Sequence, residues 1–351
     1  MKKFLLLMVM SAWLPLAGAA QANETIIRIG TEDTELLLKV HPRNGRLYQL
    51  YLGKRLANDA GMEYLTPAHE AYITNGAEDY YEPAIRVLHA DGNPSLILKY
   101  VSHEQKDLGG GVMQTVVKLA DDQYPSFTVE LYYTAYPREN IIKTHTVISH
   151  NEPGAVTLFN YASSMLHFDR AAYWLTDFTG DWAREVWMTQ QKLAYGKRMV
   201  DTKLGARASM FTSPFFVVSL DGEAQENSGD VLLGTIGWTG NFRFTFEIDH
   251  RNSLRVISGI NPMASEYSLE PGASFRTPDF YFTLSGEGMG KATRSFHDWA
   301  RNYQIKDGDK GRLTLLNNWE ATFFDFNEKK LIGLFDDAKF LGVDMFLLDD
   351  G

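Results

Sequence analysis

The chain has 351 residues, a formal net charge of −10, no cysteine, and 44% hydrophobic and 13% aromatic residues. Its length exceeds that of the usual single domain and implies two domains, or one large β domain with an appendage. An acidic balance with no basic cluster to neutralise phosphates excludes a nucleic-acid partner and suits a neutral substrate, and the absence of cysteine excludes disulfides, a lipoprotein attachment residue and a thiol nucleophile.

Residues 1–22 read as a secretory signal. Lys2 and Lys3 precede an apolar run from Phe4 to Leu16, and small residues follow, ending at Ala20, Gln21 and Ala22. Cleavage is expected after Ala22, which places the mature chain in the periplasm or outside the cell. About thirteen apolar residues fall short of the roughly twenty that span a bilayer, so no membrane anchor is expected.

From residue 23 to about 290 the chain reads as one large β domain. Short runs such as IIRIG, LILKYV, MQTVVKL, FTVELYY, NIIKTHTVI, FFVVSL, VLLGTIGW and FRFTFEI alternate or run apolar, and Gly, Pro, Asn and Asp punctuate them. Such a series predicts a large multi-sheet sandwich. No internal repeat or low-complexity tract interrupts it.

The histidines are scattered. His145 and His150 come closest to a ligand pair, but five positions apart on or beside one strand they point to opposite faces. With no Cys and no second His pair to complete a site, they are read as surface or core residues, and no metal or organic cofactor is implied. Trp174, Trp182, Trp187 and Trp238 could stack on sugars, yet large sandwiches bury aromatics anyway, so core is the expectation for each.

Residues 291–311 read as a helical linker. Phe296, Trp299 and Ala300 recur at helical spacing, and KDGDKG forms a turn. GEGMGK at 286–291 superficially resembles a phosphate loop but lacks Gly where Ser285 stands and Ser or Thr where Ala292 stands. Asp307, Asp309 and Gly311 match part of a calcium loop without the bidentate Glu, and are read as a solvated turn.

Residues 312–351 are read as a strand, a helix and a second strand. Leu313 to Trp319 is an apolar run whose polar end carries Asn317 and Asn318. Asn327 caps a helix from Glu328, with Leu331, Leu334, Phe335, Ala338 and Leu341 at helical spacing and Gly342 as its stop. Val343 to Leu348 is the second strand, ending on Asp349 and Asp350. The roughly thirty residues from Trp319 to Asp349 match one βαβ crossover. In a (β/α)₈ barrel, Trp319, Asp349 and Asp350 would share the carboxyl-terminal face where substrates bind. Spacing alone favours an ordinary βα unit with a core Trp and a turn-forming Asp-Asp-Gly.

The segment NNWEATFFDFNEKKL…AKFLGVDMFLLDDG strongly resembles the opening of the catalytic barrel in the α-galactosidases of glycoside hydrolase family 36. Upstream, YLGKRL (51–56), FTGDWAREV (178–186), GWTGNFRF (237–244) and LEPGASFRTPDFYF (269–282) resemble that family's amino-terminal domain, in the family's order. The resemblance implies a mainly β fold, with an amino-terminal β-supersandwich followed at 312–351 by the first βαβ unit of a truncated (β/α)₈ (TIM) barrel.

It also implies a retaining exo-glycosidase that removes terminal α-linked galactose from a small α-galactoside such as melibiose or raffinose. Retention uses two carboxyl groups about 5 to 5.5 Å apart. The family's nucleophile and acid/base aspartates lie beyond residue 351, so no catalytic residue is assigned, and the chain as given is expected to be an inactive fragment. Asp349 and Asp350 match the family's paired aspartates that bond the galactose hydroxyls O4 and O6, and Trp319 matches the Trp lining the sugar subsite. Family members are often tetramers. A homo-oligomer, tetramer or dimer, is therefore expected of the full-length form, with the segment 58–81 as the candidate intersubunit loop. Two other readings stay open: a secreted carbohydrate-binding sandwich, and a raffinose-synthase-like galactosyltransferase.

Overall fold

The computed structural model describes residues 25–350 apart from 59, 61, 63, 64, 67 and 77–80. The expected signal at 1–22 lies outside the described residues, as do nine of the 24 residues of the segment 58–81. The chain divides into two compact units, one ending at Phe296 and one beginning at His297.

The first unit is the large β domain expected. Its described strands form antiparallel sheets of four, six and ten strands. Alternation explains strands such as Thr128–Tyr136, where Val129, Leu131, Tyr133 and Ala135 point into the core while Thr128, Glu130 and Tyr132 are only half-buried. Strands Phe215–Leu220 and Asp230–Gly237 run apolar without alternation. Both of their faces are covered: Phe216, Val218 and Leu232 join the main core. Val217, Val231 and Leu233 instead form a second cluster with Met289, Ala292 and Phe296 of a helix.

That helix spans Gly288–Trp299 and so begins ahead of the expected start. Glycine makes the earlier start possible. Gly288 sits at φ +78°, and a Cβ there would lie 2.5 Å from the Gln225 carbonyl oxygen; at Gly290 it would lie 2.3 Å from a Glu226 carboxylate oxygen.

The centre of the core is aromatic. Phe216, from the ten-stranded sheet, meets Phe244 and Phe246 of the six-stranded sheet edge-on at 4.9 Å each. Gly234 leaves room for this packing, since a Cβ there would lie 2.7 Å from the ring tips of both Phe216 and Phe280. Gly234→Ala should therefore destabilise the domain by about 1–3 kcal/mol through overpacking. Urea unfolding measures this, and an unchanged midpoint would contradict the packing described.

The opposite face of the six-stranded sheet carries a polar row. Lys197, Glu247, Arg255 and His167 are successive cross-strand neighbours on four strands. Arg255 is fully buried, with its Nε 3.3 Å from Glu247 Oε2 and one terminal amine 3.5 Å from Asp249 Oδ2. His167 lies within hydrogen-bond reach of the Glu70 carbonyl at 2.9 Å through Nε2, and its ring stacks on His69 at 4.9 Å. His69 Nε2 in turn lies 3.1 Å from both carboxylate oxygens of Asp169.

Burial, reinforced by the neighbouring His69 and Arg255, holds the His167 imidazole well below its ordinary pKa of 6.5. The Asp169 carboxyl is held at about 2, chiefly by the bond to His69. Between its folded value and 6.5, His167 binds more proton in the unfolded chain, so its contribution declines as pH falls below 6.5. The Asp169 contribution is present above 3.8 and is lost as pH falls toward 2. Both effects have the same sign. The unfolding free energy should fall as the pH drops from 7 to 4, with a slope of up to about 1.4 kcal/mol per pH unit from the buried His167, and fall further but less steeply between pH 4 and pH 2, where Asp169 titrates exposed and screened. His167→Gln should flatten the upper part of that profile, and an identical profile would contradict the assignment.

Two expectations about isolated residues resolve differently. His145 and His150 are core residues: His145 stacks on Tyr132 at 4.4 Å, and His150 Nε2 lies 2.8 Å from the Leu269 carbonyl. None of the four tryptophans expected in the core is fully buried: Trp174 is half-buried and Trp238 is 40% exposed. Trp182 and Trp187 are 84% and 64% exposed, because they lie at the tip and start of an edge hairpin whose strand Trp187–Lys192 pairs, among the described residues, only with Tyr173–Thr179.

The second unit holds a parallel strand pair, Leu315–Asn317 and Met345–Leu347, joined through helix Glu328–Leu341. The helix ends are as expected. The Asn327 side chain accepts from the Lys330 amide at 3.0 Å, and Gly342 closes the helix at φ +76°. Phe335 packs edge-on against Phe346 at 4.6 Å, which fixes the helix on the strand pair. The first strand stops short of Trp319, since the Asn317 side chain accepts from the Trp319 amide at 2.7 Å and turns the chain into the short helix Trp319–Thr322.

Candidate functional site

Register brings the site together. Leu315, Leu316 and Asn317 pair with Met345, Phe346 and Leu347, so both strands end level and their next residues share one rim. At the opposite end the Asp344 carboxylate accepts from the Thr314 amide at 2.8 Å and its hydroxyl at 2.9 Å, which holds the same register.

At the carboxyl rim two asparagines do the positioning. Asn318 is 1% exposed; its amide donates to the Leu347 carbonyl at 3.3 Å, and its side-chain oxygen accepts from the Asp349 amide at 2.8 Å. The side-chain nitrogen of Asn318 donates to the Thr322 hydroxyl at 3.0 Å, so every polar atom of that side chain is used. Asn317 donates to Asp349 Oδ2 at 2.5 Å while holding the Trp319 amide. The Asp350 amide donates to Asp349 Oδ1 at 2.8 Å.

These contacts define what the carboxylates can do. The Asn317 side chain, and then the Asp350 amide, stabilise the ionised Asp349 and lower its pKa below the usual carboxylate value. A general acid needs a pKa near the working pH, and Asp349 is moved the other way. A lowered pKa suits a carboxylate that accepts hydrogen bonds. Asp350 is exposed, and its backbone, not its carboxylate, makes the bond to Asp349. Trp319 is half-buried, and its ring meets Phe324 and Phe323 edge-on at 4.8 and 5.5 Å. Carboxylate acceptors on a rim that also carries an aromatic residue suit a ligand with hydroxyls on one side and C–H groups on another.

Trp319 and Asp349 are thus joined through Asn317, and Asp350 follows directly on Asp349. Sequence reasoning treated Asn317 and Asn318 only as the polar end of a strand. Their place immediately after an apolar run, level with a second run ending in Asp-Asp, was the available signal. Among the described residues no group of three or more His, Cys, Asp or Glu side chains comes together to hold a metal ion.

Comparisons with known proteins agree along the chain. Residues 45–270 match the profile of the glycosyl hydrolase family 36 N-terminal domain, and residues 274–351 match the melibiase profile. The α-galactosidase AgaA of Geobacillus stearothermophilus is 30% identical over 296 residues, which cover 82% of this chain and 39% of that protein. Mel36A of Lactobacillus acidophilus is 30% identical over 296 residues, covering 80% and 40%. Among solved structures, the α-galactosidase of Lactobacillus brevis superposes with a TM-score of 0.85 at 25% identity, over 95% of this chain and 49% of that one. A variant of AgaA in complex with raffinose gives 0.85 at 26%, over 93% and 50%. The chain spans about 40% of the length of these curated relatives and about half of the solved ones.

Proposed function

We propose, for a chain that belongs to glycosyl hydrolase family 36, that it forms the supersandwich and the opening barrel unit of an α-galactosidase and holds part of its galactose subsite. In this reading Asp349 and Asp350 accept hydrogen bonds from the O4 and O6 hydroxyls of a terminal α-galactosyl group, and Trp319 lines the subsite. The observation that carries the reading is the Asp349 carboxylate, ionised and immobilised by Asn317 at the carboxyl rim of two parallel strands. A barrel presents its substrate-binding groups at that rim.

A site that bonds a particular hydroxyl leaves a carboxylate unpaired when the hydroxyl is missing or points elsewhere, which rejects glucose in favour of galactose. Hydrolysis with retention then needs two further carboxyl groups about 5–5.5 Å apart, one as nucleophile and one as acid/base. Neither is assigned among these residues. The substrate class is a short α-galactoside of the raffinose type, the full-length protein works as a homo-oligomer, and residues 1–22 direct export to the periplasm or medium.

The test continues the 351 residues after Gly351 with the remaining strands and helices of a relative's melibiase domain, so that one barrel is completed, and assays a chromogenic α-galactoside beside the 351-residue chain. Turnover by the extended protein alone is expected, with galactose competing and glucose not. Turnover by the 351 residues alone would overturn the assignment of the catalytic groups to residues beyond them. An extended protein that transfers galactose to a sugar acceptor faster than to water would make it a transferase.

A further inference from the structure

The polar row on the outer face of the six-stranded sheet is the floor of an open cleft of about 820 Å³, a size within the roughly 300–1,000 Å³ of small-molecule sites. It lies wholly within the unit ending at Phe296. Lys197, Glu247 and Arg255 supply the floor, and Tyr48, Tyr81 and Tyr195 the walls. The floor is rigid: the Arg255 guanidinium lies 3.5 Å from the centre of the Tyr81 ring and is held by Glu247 and Asp249. Glu247 also accepts from the Glu82 amide at 2.9 Å, and Lys197 bonds Glu82 at 2.6 Å.

Two properties narrow the occupant. The charges lining the cleft cancel, with Lys197, Arg251 and Arg255 against Glu70, Glu247 and Asp249, so the cleft has no net field to draw in an anion or a cation. The other property is the mixture of surfaces. Charged donors and acceptors alternate along the floor, while Tyr195 is 79% exposed and Tyr48 half-buried at the wall. Hydroxyl groups both donate and accept, so they can bridge alternating partners, and the C–H face of a pyranose packs on a tyrosine ring.

We propose that this cleft binds a short neutral oligosaccharide, with Tyr195 stacking on one sugar ring and Lys197 and Glu247 reading its hydroxyls. Trp319, Asp349 and Asp350 take no part in this cleft.

Titration calorimetry of the 351-residue chain with raffinose and with maltotriose tests it, together with hydroxyl-radical footprinting of the tyrosines. The expected result is binding that protects Tyr195, that persists in a Trp319→Ala/Asp350→Asn variant, and that weakens about tenfold in Tyr195→Ala. Lys197→Met should weaken it further. Both side chains are exposed, so these variants should unfold at the unchanged urea midpoint. Failure of both sugars to bind at 10 mM (on the order of ten times the weakest common affinities) would overturn the proposal. So would binding that Tyr195→Ala and Lys197→Met leave intact. Binding abolished by Trp319→Ala/Asp350→Asn would instead assign all the affinity to the barrel rim and refute the cleft.

Discussion

Asp350→Ala, made in the 351 residues continued after Gly351 by the remaining strands and helices of a relative's melibiase domain, should lower kcat/KM for an α-galactoside by roughly a thousandfold and leave the unfolding midpoint unchanged. The size follows from losing two charge-assisted hydrogen bonds, each about 1.5–3 kcal/mol, in a site that desolvates the sugar. The unchanged midpoint follows from the structure, since Asp350 is exposed and the bond that ties it to the rim comes from its backbone amide. Asp349→Ala should lose activity as severely and should also loosen the rim, because Asn317 then has no carboxylate to hold. Steady-state kinetics and urea unfolding on the two variants separate these effects. Equal kinetics for Asp350→Ala and the parent would remove Asp350 from the subsite.

Arg255→Ala should cost about 3–5 kcal/mol, a large share of the roughly 5–15 kcal/mol that holds a domain together. Removing the guanidinium takes its cation from Asp249, leaves Glu247 with only Lys197 at 3.9 Å, the two carboxylates being 7% and 6% exposed, and takes the cation from beneath Tyr81. Replacing all three together, as Arg255→Met with Glu247→Gln and Asp249→Asn, should recover much of that loss, because the penalty arises from unpaired charge and not from the absence of an ion pair. Urea unfolding of the single and triple variants measures it. A single variant as stable as the parent would mean that the row is solvated and not buried.

The second unit was legible almost residue by residue, because its signals are local. Asn327 satisfies a helix amide three residues away, and Gly342 closes the same helix through its own backbone angle. The error at Trp319 was of one kind with these. An asparagine two residues before it offered the chain a turn, and that local bond outweighed the apolar run. The sandwich strands were equally readable from alternation. Their exposures were not, since Trp182 and Trp187 look like core residues until the pairing leaves their hairpin at a sheet edge.

What the sequence by itself determined was therefore the fold class, the order of strands and helices, and the identity of Trp319, Asp349 and Asp350 as site candidates. The elements follow from periodicity and capping, each contained within a few residues; the site candidates follow from the resemblance carried by the motifs, since spacing alone favoured an ordinary βα unit. Tertiary structure alone decided that Asn317 grips Asp349, thirty-two residues on, and that Lys197, Glu247, Arg255 and His167 form one row across four strands. The reason is register: a strand's pattern says which face a side chain takes, but only long-range pairing chooses its neighbours.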